Sequence, residues 1–375
     1  MRVLLVNISL DAKLGGGTAE RTRHLAVHMA KAGSACEVWA MSGNSWQQEF
    51  QAQGVMYYIT GCIGRRFPLP LLNPVRAWRS IRKADVIHIM GYWNLLSVAM
   101  GFMALACRRP FILCPAGEFS SIGSPQRIKK AFHFCLGRWL IKAASGFIAI
   151  TALERELIAK VASVDEADIP VVCNAVVEPE QSSVVSIPVP DEPFILFMGR
   201  LAPVKGPDLL IQAYIDTPAA HRYPLVMAGP DFGMQQELKA LVDAAGLERQ
   251  IFFIGFLDEA QRTAAYRKAM MLVIPSRSEA MSLVALEAGV VGLPVLLTDT
   301  CGFDQVAAVQ GGMVVPASAE GIASGLQSML AQPDELPRRG ERLKAYVLHN
   351  YTWTATVQMM LQQFARLLRT GSMMK

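Results

Sequence analysis

The chain contains the stretch MLVIPSRSEAMSLVALEAG at residues 271–289. Its first part has the length and apolar character of a buried strand, and Ser282 is suited to cap a helix that begins at Leu283. Such a strand, loop and helix start would aim unpaired backbone amides at an anion. Glu279 precedes those amides, and Glu287 lies beyond them inside the helix, at roughly 1.5 Å of rise per residue. The stretch therefore predicts an anion site with a carboxylate on either side.

Short apolar runs of strand length alternate with helical segments along the whole chain. Only the Pro- and Ser-rich residues 177–193 interrupt this alternation, and they have the composition of a linker. The pattern predicts an α/β chain with two doubly wound, Rossmann-like domains facing across a cleft, with ligands beyond the carboxyl ends of the strands. The predicted strands are residues 2–8, 36–41, 56–60, 85–90, 111–114, 147–150, 171–173, 194–198, 224–228, 251–254, 271–275, 294–298 and 312–315.

The cysteine pattern and the apolar segments indicate the compartment. Seven cysteines are scattered and include no C-x-x-C pair, which is typical of a reduced, intracellular protein without a zinc site. The N-terminus starts on an apolar strand and lacks the charged region of a signal peptide. The longest apolar run, Leu95 to Cys107, has 13 residues and is too short to cross a bilayer. We therefore expect a cytoplasmic protein.

Positive charge is concentrated in the first half of the chain. Residues 1–180 contain 20 Lys and Arg against 13 Asp and Glu, whereas the remainder has 16 against 18. From Arg65 to Lys83, basic residues alternate with apolar ones, a pattern that suits an anionic membrane surface. A solvated helix face with an apolar inner side explains the pattern equally well. Nucleic acid is disfavoured as a partner, because no recognition motif accompanies the charge.

Two glycine-containing loops follow predicted strands. Gly15-Gly16-Gly17 precedes a helix and suits either a phosphate cradle or an ordinary surface loop. In GRLAPVKG, residues 199–206, Arg200 offers a planar fork for phosphate oxygens and Lys205 offers a mobile charge. With the helix start at Ser282, these two cations would surround a diphosphate. A nicotinamide oxidoreductase is disfavoured, because neither loop has the G-x-G-x-x-G pattern.

Ordered pieces along nearly the whole chain resemble the retaining nucleotide-sugar glycosyltransferases of family four, which have the GT-B fold. The resemblance is to members of the bacterial polysaccharide-biosynthesis type. The pieces are DVIHIMGYW (85–93), AITALERELI (149–158), VVCNAVV (171–177), GRLAPVKG (199–206), AGPD (228–231), PSRSEAMSLVALEAGVVGLPVLLTD (275–299) and YTWTATVQMMLQQF (351–364).

The resemblance implies a donor site built around a diphosphate. Arg200 and Lys205 match the basic pair that binds it and stabilises the leaving nucleotide, and Glu287 matches the carboxylate that holds the ribose hydroxyls. Glu279 and His88 match groups that face the donor sugar, and the histidine of the family lies beyond the fourth strand. The catalytic residues implied are Glu279, His88, Arg200 and Lys205. The other donor-binding residues implied are Gly16, Gly17, Gly199, Ala280, Met281, Ser282, Leu283 and Val284. Glu118 and Trp93 are expected on the acceptor side, and neither a metal nor a cofactor is expected.

The chain departs from the family pattern at three places. Glu279-Ala280-Met281 stands where Glu-Gly-Phe is usual, Asn174-Ala175 where Asn-Gly is usual, and Ala116 where a basic residue is frequent. These changes spare the diphosphate residues but alter the pocket beside the donor sugar.

The terminal amphipathic segment resembles a helix that returns to the first domain. Residues 1–178 and 351–375 are therefore assigned to an N-terminal, acceptor-side domain, and residues 179–350 to a C-terminal, nucleotide-sugar-binding domain.

The sequence thus predicts metal-independent transfer of a sugar, with retention at the anomeric carbon, from a nucleotide diphosphate sugar to a saccharide or polyprenyl-linked saccharide. Cell-surface polysaccharide synthesis is the expected setting, and UDP or GDP the expected nucleotide. The expected location is cytoplasmic and peripheral on the inner face of the cell membrane. Two alternatives stay open: a nucleotide-sugar epimerase of the same architecture, which would act on the donor alone, and a non-catalytic sugar-nucleotide-binding protein.

Overall fold

The computed structural model describes residues 1–64, 68–121, 127–179 and 185–373. The chain divides into two compact units: unit 1 comprises Met1–Asn174 and Trp353–Lys375, and unit 2 comprises Ala175–Thr352. The returning segment makes unit 1 discontinuous in sequence. Of the predicted linker at residues 177–193, residues 180–184 lie outside the described residues.

Unit 1 is built on a six-stranded parallel sheet covered by helices. Its strands are β1 (Arg2–Val6), β2 (Ala35–Ala40), β3 (Met56–Ile59), β4 (Cys62–Ile63), β5 (Leu69–Pro70), β6 (Val86–Met90), β7 (Phe111–Cys114) and β8 (Gly146–Phe147). The sheet has the order β3-β2-β1-β6-β7-β8, and β4 pairs with β5 in a separate antiparallel ribbon. The helices include α1 (Gly16–Lys31), α2 (Gln47–Ala52), α3 (Pro74–Lys83), α4 (Leu95–Ala106), α5 (Arg127–Phe132), α6 (Arg138–Ala143) and α7 (Ala152–Ala162).

Unit 2 repeats this topology in a second parallel sheet. Its strands are β9 (Ile195–Met198), β10 (Leu225–Ala228), β11 (Ile251–Gly255), β12 (Met271–Ile274), β13 (Val295–Thr298) and β14 (Gly312–Val315), in the order β11-β10-β9-β12-β13-β14. Its helices include α8 (Pro207–Ile215), α9 (Gln235–Ala245), α10 (Glu259–Lys268), α11 (Leu283–Val290), α12 (Gln305–Ala308), α13 (Ala319–Leu330) and α14 (Leu336–Asn350). The last helix, α15 (Trp353–Met373), belongs to unit 1.

The apolar composition of the strands explains the two layered cores. All residues of β6, β7, β9, β10, β12 and β13 are buried, as expected for parallel strands covered by helices on both faces. The strand order reverses between β1 and β6, and again between β9 and β12. Ligands of doubly wound sheets bind beyond the strand ends at such a reversal, so the residues that follow β9 and β12 are the first to consider in unit 2.

The predicted α/β class with two doubly wound sheets is confirmed, and three details differ. Residues 171–173 contribute a single bridge, from Val171 to Ala149, instead of a strand, and Pro170, which has no amide to donate, prevents the ladder from extending on its N-terminal side. The ribbon of β4 and β5 was not predicted, since strands of two residues carry no periodic pattern. A π-helical turn at His133–Gly137, which was not predicted, separates α5 from α6.

Two glycines of unit 2 provide a matched test of the packing beside β12. Gly206 and Gly246 share a left-handed backbone, with φ of 64° and 66°. A Cβ on Gly206 would lie 2.0 Å from the carbonyl oxygen of Pro275, whereas a Cβ on Gly246 would meet nothing within 4 Å. Gly246→Ala should therefore cost about 1–2 kcal/mol of stability through backbone strain alone, and Gly206→Ala should cost clearly more. Scanning calorimetry of both variants checks this, and equal losses would contradict the close approach to Pro275.

Candidate functional site

The loop after β9 places Arg200 against an aromatic ring. Gly199 donates its amide to Ala228 and is covered by Gly229, where a Cβ would lie 1.8 Å from the Gly199 carbonyl oxygen. The half-buried guanidinium of Arg200 lies 5.1 Å from the ring centroid of Phe232. Burial lowers the pKa of Arg200, and the nearby charge of Glu279 opposes this change. An arginine remains charged under these conditions, so the loop presents a fixed cation.

The same loop brings Lys205 to Glu279. Lys205 ends a short 3-10 turn, Pro203–Lys205, and its Nζ lies 2.8 Å from Oε1 of Glu279. Ser276 donates its hydroxyl to the same carboxylate oxygen, and the Glu279 amide donates to Thr300. The Glu279 side chain is mostly buried, with 9% of its surface exposed. Two loops that follow neighbouring strands thus meet through one ion pair.

The start of α11 has unused hydrogen-bonding groups. Ser282 occupies the N-cap position with an extended backbone, as predicted, but its side chain makes no capping bond. Its hydroxyl is fully buried and has no hydrogen-bond partner among the described residues. The amides of Leu283 and Val284, in the first turn, have no acceptor within the helix. These donors and the positive end of the helix dipole are suited to an anion.

Glu287 is held by α10 on the other side of this helix start. Its Oε2 accepts a hydrogen bond of 2.8 Å from the hydroxyl of Tyr266, and its Oε1 lies 3.6 Å from Arg262. Burial and the charge of Glu287 raise the pKa of Tyr266, which therefore stays a hydrogen-bond donor. Sequence reasoning missed both partners. Their spacing of four residues puts them on one face of α10, but that alone does not indicate which carboxylate they reach.

Gly302 packs against Ala280 and Met281, two of the predicted donor-binding residues. Ala280 is half-buried and Met281 is buried, and both lie against Gly302, where a Cβ would lie 2.2 Å from the Ala280 carbonyl oxygen. The positions at which the chain departs from the family pattern are therefore packed, and a larger residue at 302 would displace them. Unit 2 thus assembles Gly199, Arg200, Lys205, Glu279, Ala280, Met281, Ser282, Leu283, Val284 and Glu287.

The other predicted residues belong to unit 1. Gly16 and Gly17 are the first residues of α1, and Gly16 has a positive φ of 62°. His88 lies within β6, between Leu5 and Ile112 of the adjoining strands, and not beyond the strand as the resemblance implied. Its ring is 1% exposed and 6.0 Å from Phe364, and its Nε2 has no hydrogen-bond partner among the described residues. Burial, reinforced by Arg21, lowers the pKa of His88 to about 3, so the ring is neutral.

Glu118 and Trp93, predicted on the acceptor side, contact each other. The Glu118 carboxylate accepts the amides of Tyr92 and Trp93, and the Trp93 indole donates to the Glu118 carbonyl at 2.9 Å. Burial raises the pKa of Glu118, although the two amides oppose this. The ammonium of Lys129 lies 5.5 Å from the Trp93 ring centroid. The carboxylate therefore organises this loop through the backbone.

Glu154, from the T-x-x-E piece, has a similar backbone role. Its two oxygens accept the amides of Gly117 and Ile150 at 2.6 and 2.7 Å. Glu154 therefore joins two loop amides. Arg21, which sequence reasoning missed, is fully buried and donates to Asn174 and to the Val172 carbonyl. These polar groups fix the loops at the ends of β7 and β8.

No cluster of three His, Cys, Asp or Glu suited to a metal occurs within the described residues. No described helix combines the length and the apolar character needed to cross a bilayer.

Comparison with known proteins covers both units. The family model described as "Glycosyl transferase 4-like domain" matches residues 16–175, and the one described as "Glycosyl transferases group 1" matches residues 180–346. A D-inositol 3-phosphate glycosyltransferase of Gordonia bronchialis is 32% identical over 191 residues, which make up 48% of this chain and 42% of that protein. The chain thus spans less than half the length of this relative.

Solved structures resemble the chain as a whole. HepE of Anabaena, in complex with UDP and glucose, has a TM-score of 0.79 at 15% identity and covers 98% of this chain and 100% of its own. WaaG, a glycosyltransferase involved in lipopolysaccharide biosynthesis, has a TM-score of 0.72 at 16% identity, covering 95% and 98%. Identities this low show a shared fold.

The buried neutral state of His88 predicts a pH-dependent stability of unit 1. The unfolded pKa is about 6.5, so the unfolded chain binds the proton more readily than the folded one below that pH. The contribution of His88 to the free energy of unfolding is therefore fully present above pH 6.5 and falls as the pH drops, by about 2 kcal/mol at pH 5. In the His88→Leu variant, the free energy of unfolding should therefore fall by about this amount less than in the wild type between pH 7 and pH 5. All six tryptophans lie in unit 1, so denaturant titrations followed by tryptophan fluorescence measure it.

The exposed His349 of α14 provides the control. His349→Gln should keep the wild-type difference between the two pH values. A His88→Leu variant that still loses as much stability as the wild type would show that His88 is not held neutral in the folded protein.

Proposed function

The chain belongs to the glycosyltransferases of the family-four type with the GT-B fold, and from this premise we propose that it transfers a sugar from a nucleotide diphosphate sugar to an acceptor hydroxyl, with retention at the anomeric carbon. The observation that carries the proposal is the ion pair of Lys205 and Glu279 beside the uncapped start of α11. Cations and unused amides at one place favour a diphosphate, and a carboxylate next to them favours chemistry at the bond that the diphosphate leaves.

The proposed reaction uses electrostatic stabilisation of the leaving group. As the bond between the anomeric carbon and the phosphate oxygen breaks, negative charge develops on the nucleoside diphosphate and positive charge on the sugar ring. Arg200, Lys205 and the first-turn amides of α11 are fixed donors for the first charge. The Glu279 carboxylate is the partner for the second. This division of roles requires neither a metal nor a cofactor, which is part of the proposal.

Glu287 is proposed to bind the ribose. Its carboxylate is oriented by Tyr266 and Arg262, and a carboxylate held in this way accepts hydrogen bonds from a diol. HepE, which shares the fold, has been solved with UDP, and this supports UDP as the first nucleotide to test. Met281, two residues after Glu279, stands where the family usually has phenylalanine, so we propose that the donor sugar differs from that of other members at the group that meets Met281.

The acceptor is proposed to be a saccharide or polyprenyl-linked saccharide at a membrane surface, in cell-surface polysaccharide synthesis. The support lies in the charge of unit 1: α3 contains four basic residues and no acidic one, and its Trp78 is 40% exposed. Phe102 of α4 and Phe134 near α6 are also exposed, at 62% and 72%. Arg65, Arg66 and Phe67, which belong to the same predicted pattern, lie outside the described residues.

Removal of the proposed diphosphate cations should reduce transfer strongly. Each of Arg200→Met and Lys205→Met should lower kcat by about a hundredfold to a thousandfold, because one charge-stabilising donor contributes about 3–4 kcal/mol. The donor nucleotide is first chosen by thermal shift with UDP, GDP and ADP, since a ligand at 100 times its Kd stabilises by about 2.7 kcal/mol. Turnover is then measured with the matching sugar nucleotides.

The control for these variants is Lys239→Met, which removes an exposed cation elsewhere in unit 2 and should leave kcat unchanged. Full activity of either site variant would contradict the assignment. Products are analysed with and without acceptor, because an epimerase would change the donor in the absence of an acceptor.

Binding to anionic membranes should depend on α3. We expect the protein to sediment with vesicles that contain phosphatidylglycerol and not with neutral vesicles, and salt should weaken this binding because it screens exposed charges. Arg79→Glu combined with Arg82→Glu should abolish it. The matched control reverses two exposed charges of unit 2, Lys239→Glu with Arg249→Glu, and should retain binding. Vesicle binding that changes neither with salt nor with the Arg79→Glu and Arg82→Glu substitutions would contradict the membrane proposal.

A further inference from the structure

Arg277 lies in the loop after β12 and connects it to the loop after β9. Its side chain reaches back to the turn before α8, where one guanidinium nitrogen donates to the Pro203 carbonyl at 2.7 Å. The guanidinium also forms a bidentate pair with the Asp208 carboxylate, with distances of 2.8 and 2.5 Å. The backbone amide of Arg277 donates to the Val204 carbonyl at 2.8 Å. One residue thus makes four bonds to the segment that contains Lys205.

These bonds act on both members of the ion pair. The turn Pro203–Lys205 ends at Lys205, and Arg277 is only two residues from Glu279 in the other loop. Arg277 therefore fixes the backbone on either side of the contact between Lys205 Nζ and Glu279 Oε1. No contact of the Arg277 side chain with either of those two side chains is among its hydrogen bonds and ion pairs in the described residues. Its effect has to pass through the loops.

The pair has the geometry of a fixed connection. A planar guanidinium that faces a carboxylate through two parallel bonds is restricted in orientation, which a lysine at the same place would not be. Asp208 also lies in the first turn of α8, where a negative charge is favoured by the helix dipole. Burial would raise the pKa of Asp208, but the bonds to Arg277, its charge and two backbone amides together outweigh burial and lower the pKa, so the carboxylate is charged at neutral pH.

We propose that Arg277 and Asp208 are positioning residues that hold Lys205 at the distance from Glu279 that donor binding and sugar transfer require. This inference rests on the proposed function and adds residues to it that touch neither donor nor acceptor. If the Arg277–Asp208 pair only stabilised the fold, its loss would make unfolding easier and leave kcat unchanged. Gly206 and the backbone would then be sufficient to place the two loops.

The test is a coupled set of variants of the full chain. Arg277→Met removes all guanidinium bonds, and Arg277→Lys keeps the charge but loses the bidentate geometry. We expect both to lower kcat/KM by about tenfold to a hundredfold, in keeping with the cost of small displacements of catalytic groups, with Arg277→Lys the less affected. Asp208→Asn should match Arg277→Met, and the double variant should be no worse than either single one. UDP affinity, measured by calorimetry, should weaken in parallel.

The decisive comparison uses the Lys205→Met background. If Arg277 acts through Lys205, adding Arg277→Met to Lys205→Met should change UDP affinity and kcat/KM little further, whereas independent effects would multiply. Arg338→Met is the matched control, because Arg338 pairs with Glu335 on the surface of α14 and is 75% exposed. It should leave both measurements unchanged.

The outcomes separate the two proposals. The positioning role would be overturned, and the proposed function left intact, if the wild-type protein binds and turns over donor and Arg277→Met behaves like the wild type. The same holds if the effects of Arg277→Met and Lys205→Met on kcat/KM multiply in the double variant. A wild-type protein that binds none of UDP, GDP and ADP would overturn the proposed function and the positioning role with it. Melting temperatures of all variants identify any that fail to fold, and Asp208→Asn then serves in place of Arg277→Met.

Discussion

The candidate site of unit 2 depends on one steric constraint, the close approach of Gly206, which follows the turn Pro203–Lys205, to the carbonyl group of Pro275. A Cβ at position 206 would lie 2.0 Å from that oxygen, so only glycine permits the approach. The approach brings the loops after β9 and β12 together, and Lys205 then reaches Glu279 at 2.8 Å. Removing one partner of such a mostly buried pair leaves a charge without compensation. The steric constraint and the ion pair therefore support each other.

A buried hydroxyl without a hydrogen-bond partner among the described residues lies at the start of α11, where the charges of the candidate site are. Two other helices of unit 2 begin with a capping side chain, since Asp258 and Gln261 form a capping box on α10 and Ser318 caps α13, whereas α8, α9, α12 and α14 have no side-chain cap. Ser282 has the right residue type at the same position of α11, yet its buried hydroxyl caps nothing. Buried polar groups are generally satisfied in native proteins, and exceptions need an explanation. A bound phosphate supplies one, because it would accept hydrogen bonds from this hydroxyl and from the first-turn amides.

The sequence predicted those features that depend on local pattern. Buried parallel strands are runs of apolar residues, so the strands of both sheets could be placed, as could the helix start at Ser282. Pairs between distant segments could not be predicted. Arg277 and Asp208 are 69 positions apart, and Tyr266 and Glu287 belong to different helices, so only the folded chain brings them together. His88 shows a third limit: within an apolar run, sequence does not indicate whether a histidine faces a ligand or the core, and here it packs near Phe364.

The carboxylates of Glu118 and Glu154 in unit 1 are engaged with backbone amides, and this restricts what the predicted acceptor side can use. Both oxygens of Glu154 accept loop amides, and the Glu118 carboxylate accepts the amides of Tyr92 and Trp93. A carboxylate with these bonds loses them if it turns toward an acceptor, which leaves buried amides unsatisfied at a cost of about 1–3 kcal/mol each. The half-buried indole of Trp93 has no such cost, because its nitrogen is already paired with Glu118 and its ring is held by contacts with Tyr92, Phe132 and Lys129. The acceptor side therefore stays a prediction, in which we expect Glu118 to act by orienting the Trp93 indole and Trp93 to make the contact.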